Sequence, residues 1–171
     1  MDTSKERFAY LGREFLTWLW FEAEHNGGKV EGGELGPIGV TFGQRLTLET
    51  GGNVREGSTV QADAPAEAEE ARTALRVGKK VARARLFLDV GERQYQVSLD
   101  AETLTFANAK LPVLLGKGES HAIDERLALL DELEAVIDQL FVGFVNLRKS
   151  EASWAPVREA MRQWVVKGAA G

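Results

Sequence analysis

Residues 73–88, TALRVGKKVARARLFL, carry five bases, Arg76, Lys79, Lys80, Arg83 and Arg85, and no acid. Cationic side chains repeated along one segment suit one chemistry above others. Guanidinium groups grip phosphate oxygens through paired hydrogen bonds, and ammonium groups act on them as point charges. In an extended strand, successive side chains point to opposite faces. Ala82, Ala84, Leu86, Leu88 and Val90 then share one face, and Lys79, Val81, Arg83, Arg85, Phe87 and Asp89 share the other. Cations two residues apart on that face stand about 6.6–7 Å apart, comparable to successive phosphates on one nucleic-acid strand. Arg72 and Arg76 lie on one side of the preceding helix and flank the strand, whereas Lys80 points the opposite way. The expected phosphate-binding set is therefore Lys79, Arg83, Arg85, Arg76 and Arg72. A plainer account of the same residues is a strand edge shielded by charge from pairing with other chains, neutralised by Glu92 or by the glutamates at 67–70.

Catalytic constellations are sparse. There is no cysteine, which excludes disulfides, thiolate metal sites and cysteine nucleophiles together. His25 and His121 are the only histidines, one at an expected helix end and one in a loop. GKGES, residues 116–120, lacks the spacing of a phosphate loop. The acids of DERLALLDELEAVID, residues 124–138, fall at helical spacing beside an apolar seam, as the solvated face of an amphipathic helix does. No enzyme, metal or cofactor is expected from these residues.

The elements that must position the cations follow from periodicity. Thr3 and Glu6 have capping-box spacing, and Phe8, Leu11, Phe15 and Trp18 recur at three-four steps towards Gly27–Gly28. Trp18 to Phe21 surround that helix almost completely, which predicts burial between a sheet and another helix or at a subunit contact. Ile38, Val40 and Phe42 alternate, as do Leu46 and Leu48, so a hairpin turning at Gly43–Gln44 is expected. A short strand is expected around Ser58–Gln61. A helix capped by Asp63, with Pro65 in its first turn and Glu67, Glu69 and Glu70 near its positive end, should end at Gly78. Strands over 79–90 and 92–99 pair across Gly91, and Thr103–Ala109 adds a third. Leu130, Leu133, Ile137, Leu140, Phe144 and Leu147 form a heptad-like seam on a long helix, and Trp154, Val157, Met161 and Trp164 repeat the step on a final one. The expected fold is α+β, an antiparallel sheet packed against an N-terminal helix and long C-terminal helices. Residues 1–148 form the domain and 149–171 a helical appendage. Leu140, Phe141, Phe144, Trp154 and Trp164 offer more apolar area than one small core absorbs, which predicts an oligomer interface, a homodimer being the simplest.

The order of these features resembles the C-terminal half of the bacterial recombination-associated RdgC family. LGREFLTWLWFEAE, GPIGVTFGQRLTLE, EEARTALRVGKKVARARLFL, QYQVSLDAETLTFANAKLP and LALLDELEAVIDQLFVGFVNLR carry the resemblance, over roughly residues 9–148. It implies a ring-shaped homodimer that binds double-stranded DNA without sequence preference and restrains the RecA recombinase by occupying DNA. On this chain, the Gly-Lys of the family's basic strand falls on Gly78–Lys79 and the next base on Arg83. Full members are nearly twice as long.

Composition bounds these expectations. The chain has 171 residues with 26 acids against 21 bases, a formal charge of −5, so its surface as a whole does not attract polyanions and any such site must be local. No run of 18 apolar residues occurs, and MDTSKERFAY lacks the order of a secretion signal. A cytoplasmic protein, associated with the nucleoid, fits these limits. The leading expectation is a non-enzymatic, sequence-independent double-stranded DNA-associated protein. The alternative is a homo-oligomeric scaffold with no nucleic-acid role.

Overall fold

The computed structural model describes residues 3–50, 57–61 and 69–167. The chain is α+β. The elements run α1 (Thr3–His25), β1 (Lys29–Glu31), a short 3-10 turn (Gly33–Leu35), β2 (Pro37–Glu49), β3 (Gly57–Gln61), α2 (Glu69–Arg76), β4 (Lys80–Val90), β5 (Arg93–Asp100), β6 (Phe106–Lys110), α3 (Glu119–Arg148) and α4 (Glu151–Lys167). All strand pairs are antiparallel, in the order β1-β2-β4-β5-β6, with β3 also pairing β2. Asp63, Pro65 and Glu67, expected to open α2, lie outside the described residues, as do the side chains of Thr3 and Glu6.

The expected hairpin at Gly43–Gln44 is corrected. Residues 37–49 form one strand, and β4 pairs along it from Asp89 opposite Gly39 to Lys80 opposite Glu49. The pairing shifts register between Phe42 and Leu46, so Gly43 sits at a bulge inside a strand instead of at a turn. Glycine leaves the neighbouring side chains room there. A β-carbon on Gly43 would lie 3.1 Å from the Arg85 Cγ and 3.1 Å from a Phe87 ring carbon, so both stems cross the space that glycine leaves.

The helices cover one face of the sheet. Ile38, Val40, Leu46, Leu48, Leu86, Leu88, Tyr95 and Val97 are buried beneath them. The run Trp18 to Phe21 is buried as well, because α1 lies between the sheet and two other helices. Phe15 meets Phe141 edge-on at 5.2 Å, Trp18 meets Phe144 at 5.4 Å, and Trp20 and Phe21 meet Trp164 at 5.2 and 5.7 Å. Tyr95 reaches up from β5 to donate a 2.9 Å hydrogen bond to Glu132 of α3, which also receives Arg93 at 2.6 Å. Burial, then the hydrogen bond to this carboxylate, pushes the Tyr95 phenol up to about 12.

Two further expectations are corrected. Leu140, Phe144, Trp154 and Trp164 are at most 2% exposed within a single chain, and Phe141 is partly buried against Phe15. They belong to the core of the single chain, with Phe141 half-buried, because α1 and the sheet meet the α3 seam from two sides. Helix α4 is likewise no appendage to a 1–148 domain: both its tryptophans belong to the same core. Among the described residues, no helix is long and apolar enough to cross a membrane.

Candidate nucleic-acid interface

The face of the sheet turned away from the helices carries the charged side chains. Leu46 pairs with Ala84 and Thr47 with Arg83, so Arg45, one residue before Leu46, enters the same region as Arg85. Arg45, Arg83 and Arg85 line one hollow of about 550 Å³, together with the hydroxyls of Thr47, Ser98 and Thr105, the amide of Asn108 and a single carboxylate, Asp100. The hollow is framed by three irregularities in the ladder. One is the shift between Phe42 and Leu46; the second lies between Thr47 and Leu48, where Ala82 has no partner; the third lies between Gln96 and Ser98. Asn108, in the segment of β6 that bulges there, has φ 53°, a left-handed conformation that asparagine tolerates better than most residues. Bulges bend strands and raise their twist, and they recur beside binding sites.

The bulge at Ala82 breaks up the expected cation set. Val81 pairs with Leu48 and is fully buried, Ala84 pairs with Leu46 and is buried too, and Ala82 between them uses its carbonyl to accept from the Ala101 amide at 2.8 Å. The alternation that places Val81 with Arg83 is therefore wrong by one residue at the start of the strand. Lys79 precedes β4 and lines a different hollow, beside Trp154 of α4 on the helical side. Lys80 lies over the Tyr10 ring, 3.8 Å from its centre. Arg72 is held 3.5 Å from Glu24, which also accepts from Trp164 Nε1, so it joins α2, α1 and α4. Arg76 bonds Glu69 at 2.9 Å and the Val165 carbonyl at 3.3 Å. Of the five expected residues, the structure brings together Arg83 and Arg85. Lys79, Arg76 and Arg72 sit elsewhere, and the latter two hold the helices in place.

Arg45, Thr47, Ser98, Thr105 and Asn108 were not legible as site residues. Arg45 follows the glycine that reads as a turn, which assigns it to a separate strand, and Asn108 takes its position from pairing with β5.

Arg83 donates a 2.8 Å bond to Asp100 and is itself 65% exposed at the side chain, so its outer nitrogens face solvent. That hydrogen bond and the charge behind it raise the Arg83 pKa further, with Glu49 and Glu102 adding to the effect. Burial works to raise the Asp100 carboxyl, but the Arg83 bond and the backbone amides of Glu102 and Thr103 outweigh it and hold the group below the usual aspartate range. Arg85 is exposed and, among the described residues, makes no ion pair; nor does Arg45. Like charges on neighbouring strands repel. Three guanidiniums share this hollow with one lining carboxylate, Asp100, while Glu49 and Glu102 act on Arg83 from farther off; Arg45 and Arg85 offer paired donors to an anion with several oxygens. The hollow holds no histidine or thiol, and no cluster of three or more metal-binding side chains occurs among the described residues. Its arginines, hydroxyls and amide can donate hydrogen bonds to an anion, those from arginine being charge-assisted.

The GKGES loop is occupied from within. The Glu125 carboxylate accepts from the backbone amides of Leu115 at 2.8 Å and Gly116 at 2.7 Å, which lowers its pKa. Those donors are taken by the chain's own acid. No protein-family model matches the chain, and no curated protein matches it.

Proposed function

We propose that the chain is a non-enzymatic nucleic-acid-associated protein that holds the backbone of double-stranded DNA on the open face of its sheet. The observation that carries this reading is the convergence of Arg45, Arg83 and Arg85 on one polar hollow with a single acid among its lining side chains. The resemblance to the RdgC family points the same way through Arg83. Arg83 and Arg85 stand two residues apart on one strand, about 6.6–6.8 Å in rise. Arg45 reaches the same hollow from the adjacent strand. Hydroxyls and an amide supply further donors of the kind that contact phosphate and carry no sequence information. Binding is then sequence-blind. It belongs where DNA is, at the nucleoid of a cytoplasm.

Counterion release supplies the test. Three neutralised phosphates give a plot of log K against log salt with slope about −2.7, where a fourth contact from Lys79 would give about −3.6. Fluorescence anisotropy of a labelled random-sequence duplex across salt concentrations measures it. Replacing Arg45, Arg83 and Arg85 together by glutamate should abolish binding. Absence of binding to any duplex at low salt overturns the reading.

A further inference from the structure

A cavity of about 580 Å³ opens between α1, β1 and α3, and it shares no residue with the arginine hollow on the open face of the sheet. Its size is that of a small-molecule site. Trp18, Glu22 and Asn26 line it at four-residue steps, so one face of α1 forms a wall. From β1 come Lys29, Val30 and Glu31, and from α3 come Gly143 and Leu147.

Glu22 is half-buried and makes no ion pair among the described residues. Burial pushes its carboxyl up, against a 2.6 Å hydrogen bond from Asn26 Nδ2, the charge of His25 and, most weakly, the Trp18 N–H. Trp18 is 4% exposed, and its Nε1 is buried without a well-formed hydrogen bond. A partly desolvated carboxylate with no cation beside it is costly. On β1, Lys29 stands opposite Gly39 and Glu31 opposite Pro37, so neither meets a charge directly across the strand pair. Neither is in an ion pair among the described residues. Two carboxylates and one lysine thus line the same space. Gly143 adds a second, independent sign. Glycine inside a helix is destabilising relative to alanine. Packing does not demand it here: a β-carbon on Gly143 would meet nothing closer than the Glu31 carbonyl oxygen at 4.0 Å. The room that this glycine leaves belongs to the cavity.

We infer that this cavity binds a small organic ammonium ion, with the charge on Glu22 and Glu31 and the hydrocarbon body against Trp18, Val30, Pro37 and Leu147. An ammonium group has three donors and no acceptor. Both carboxylates and the Asn26 carbonyl oxygen offer acceptors to it, since Asn26 uses an amide donor on Glu22. Indole is the aromatic ring that attracts a cation best. Walls of hydrocarbon and indole suit an organic cation better than a hydrated metal ion, which asks for oxygen ligands on every side. An anion would find Lys29 alone and would have to lie beside two carboxylates. This site is independent of the reading of the arginine face.

Calorimetric titration of the full chain with phenethylammonium chloride tests it. Saturable one-to-one binding is expected with Kd at or below about 1 mM, a modest efficiency for a ligand of this size. Hydrocinnamate, an anion of similar size and shape, should bind about ten-fold more weakly or worse, as the loss of one charge-assisted contact implies. Glu22→Gln should weaken phenethylammonium by a similar factor. Gly143→Ala and Gly143→Leu should weaken it progressively by filling the cavity, while their urea midpoints stay equal to or above that of the unmodified chain, because both residues favour helix over glycine. Glu22→Gln decides the matter if a glycine variant fails to fold. No saturable binding, equal affinity for hydrocinnamate, full affinity in Glu22→Gln, or a stably folded Gly143→Leu that binds as before would each overturn the inference.

Discussion

At the scale of single residues, Asp100 decides how much of the Arg83 charge reaches a ligand. It accepts from Arg83 at 2.8 Å and from the Glu102 amide at 2.9 Å, so it both anchors the β5–β6 turn and screens the cation. Asp100→Asn removes the charge and keeps an oxygen for the amide. Duplex affinity should then rise about two- to five-fold, the range set by an exposed ion pair. The salt slope should then reach the full three-contact value of about −2.7, up to about 0.9 steeper than where Asp100 keeps Arg83 from phosphate. Anisotropy titrations of this variant read both quantities. A weaker affinity would mean that Asp100 aligns Arg83 for the ligand instead of competing with it. Residue types alone grouped Arg83 and Arg85 on one face, and the structure places both in one hollow. Arg72 and Arg76 were legible as charges, but their work is structural: Glu24 and the Val165 carbonyl lie far along the chain and were not visible as their partners.

Elements were read more reliably than their joints. The long apolar stripes of α1, α3 and α4 and the alternation of β5 persist through many residues, and each pattern has one period. Breaks in a period are harder. Gly43 looks like a turn because glycine serves turns and bulges alike, and the choice between them is made by β4 lying alongside. Gly12 of α1 shows the same dependence. A β-carbon there would stand 1.7 Å from the Ala101 carbonyl oxygen, so α1 sits against the end of β5 by backbone contact. Gly12→Ala should destabilise the fold by about 3 kcal/mol or more, above the common range for overpacking because the obstacle is main chain. A urea unfolding midpoint measures this. A change within about 0.5 kcal/mol, the range of ordinary surface substitutions, would show that α1 shifts freely over the sheet.

For the whole molecule, a charge of −5 coexists with a local cluster of guanidiniums on the open face of the sheet. Acids line the outer side of α3, above the covered face of the sheet, and Arg45, Arg83 and Arg85 lie on the open face. Electrostatic screening over about 8 Å at physiological salt keeps the two regions from cancelling. The same layering makes α4 integral. A chain ending at Arg148 loses Trp154 and Trp164 and uncovers Trp20, Phe21 and Phe144. Loss of buried tryptophans costs about 3–5 kcal/mol each, comparable to the total stability of many domains. That chain should be degraded rapidly in limited proteolysis under conditions where the full chain persists. Equal resistance would restore α4 to the status of an appendage.

By itself the sequence determined the α+β class, nearly every helix and strand, the burial of Trp18 to Phe21, and the presence of a basic strand. Those are consequences of local periodicity and side-chain polarity, which the chain carries wherever it folds. The tertiary structure decided which cations share a face. One unpaired residue, Ala82, shifts the phase of β4 and sends Lys79 and Arg83 to different surfaces, while a bulge brings in Arg45 from β2. A bulge is created by the partner strand's register, so its place cannot be read from the bulged segment alone. Burial of the α3 seam was decided in the same way, by α1 arriving from the far end of the chain to cover it.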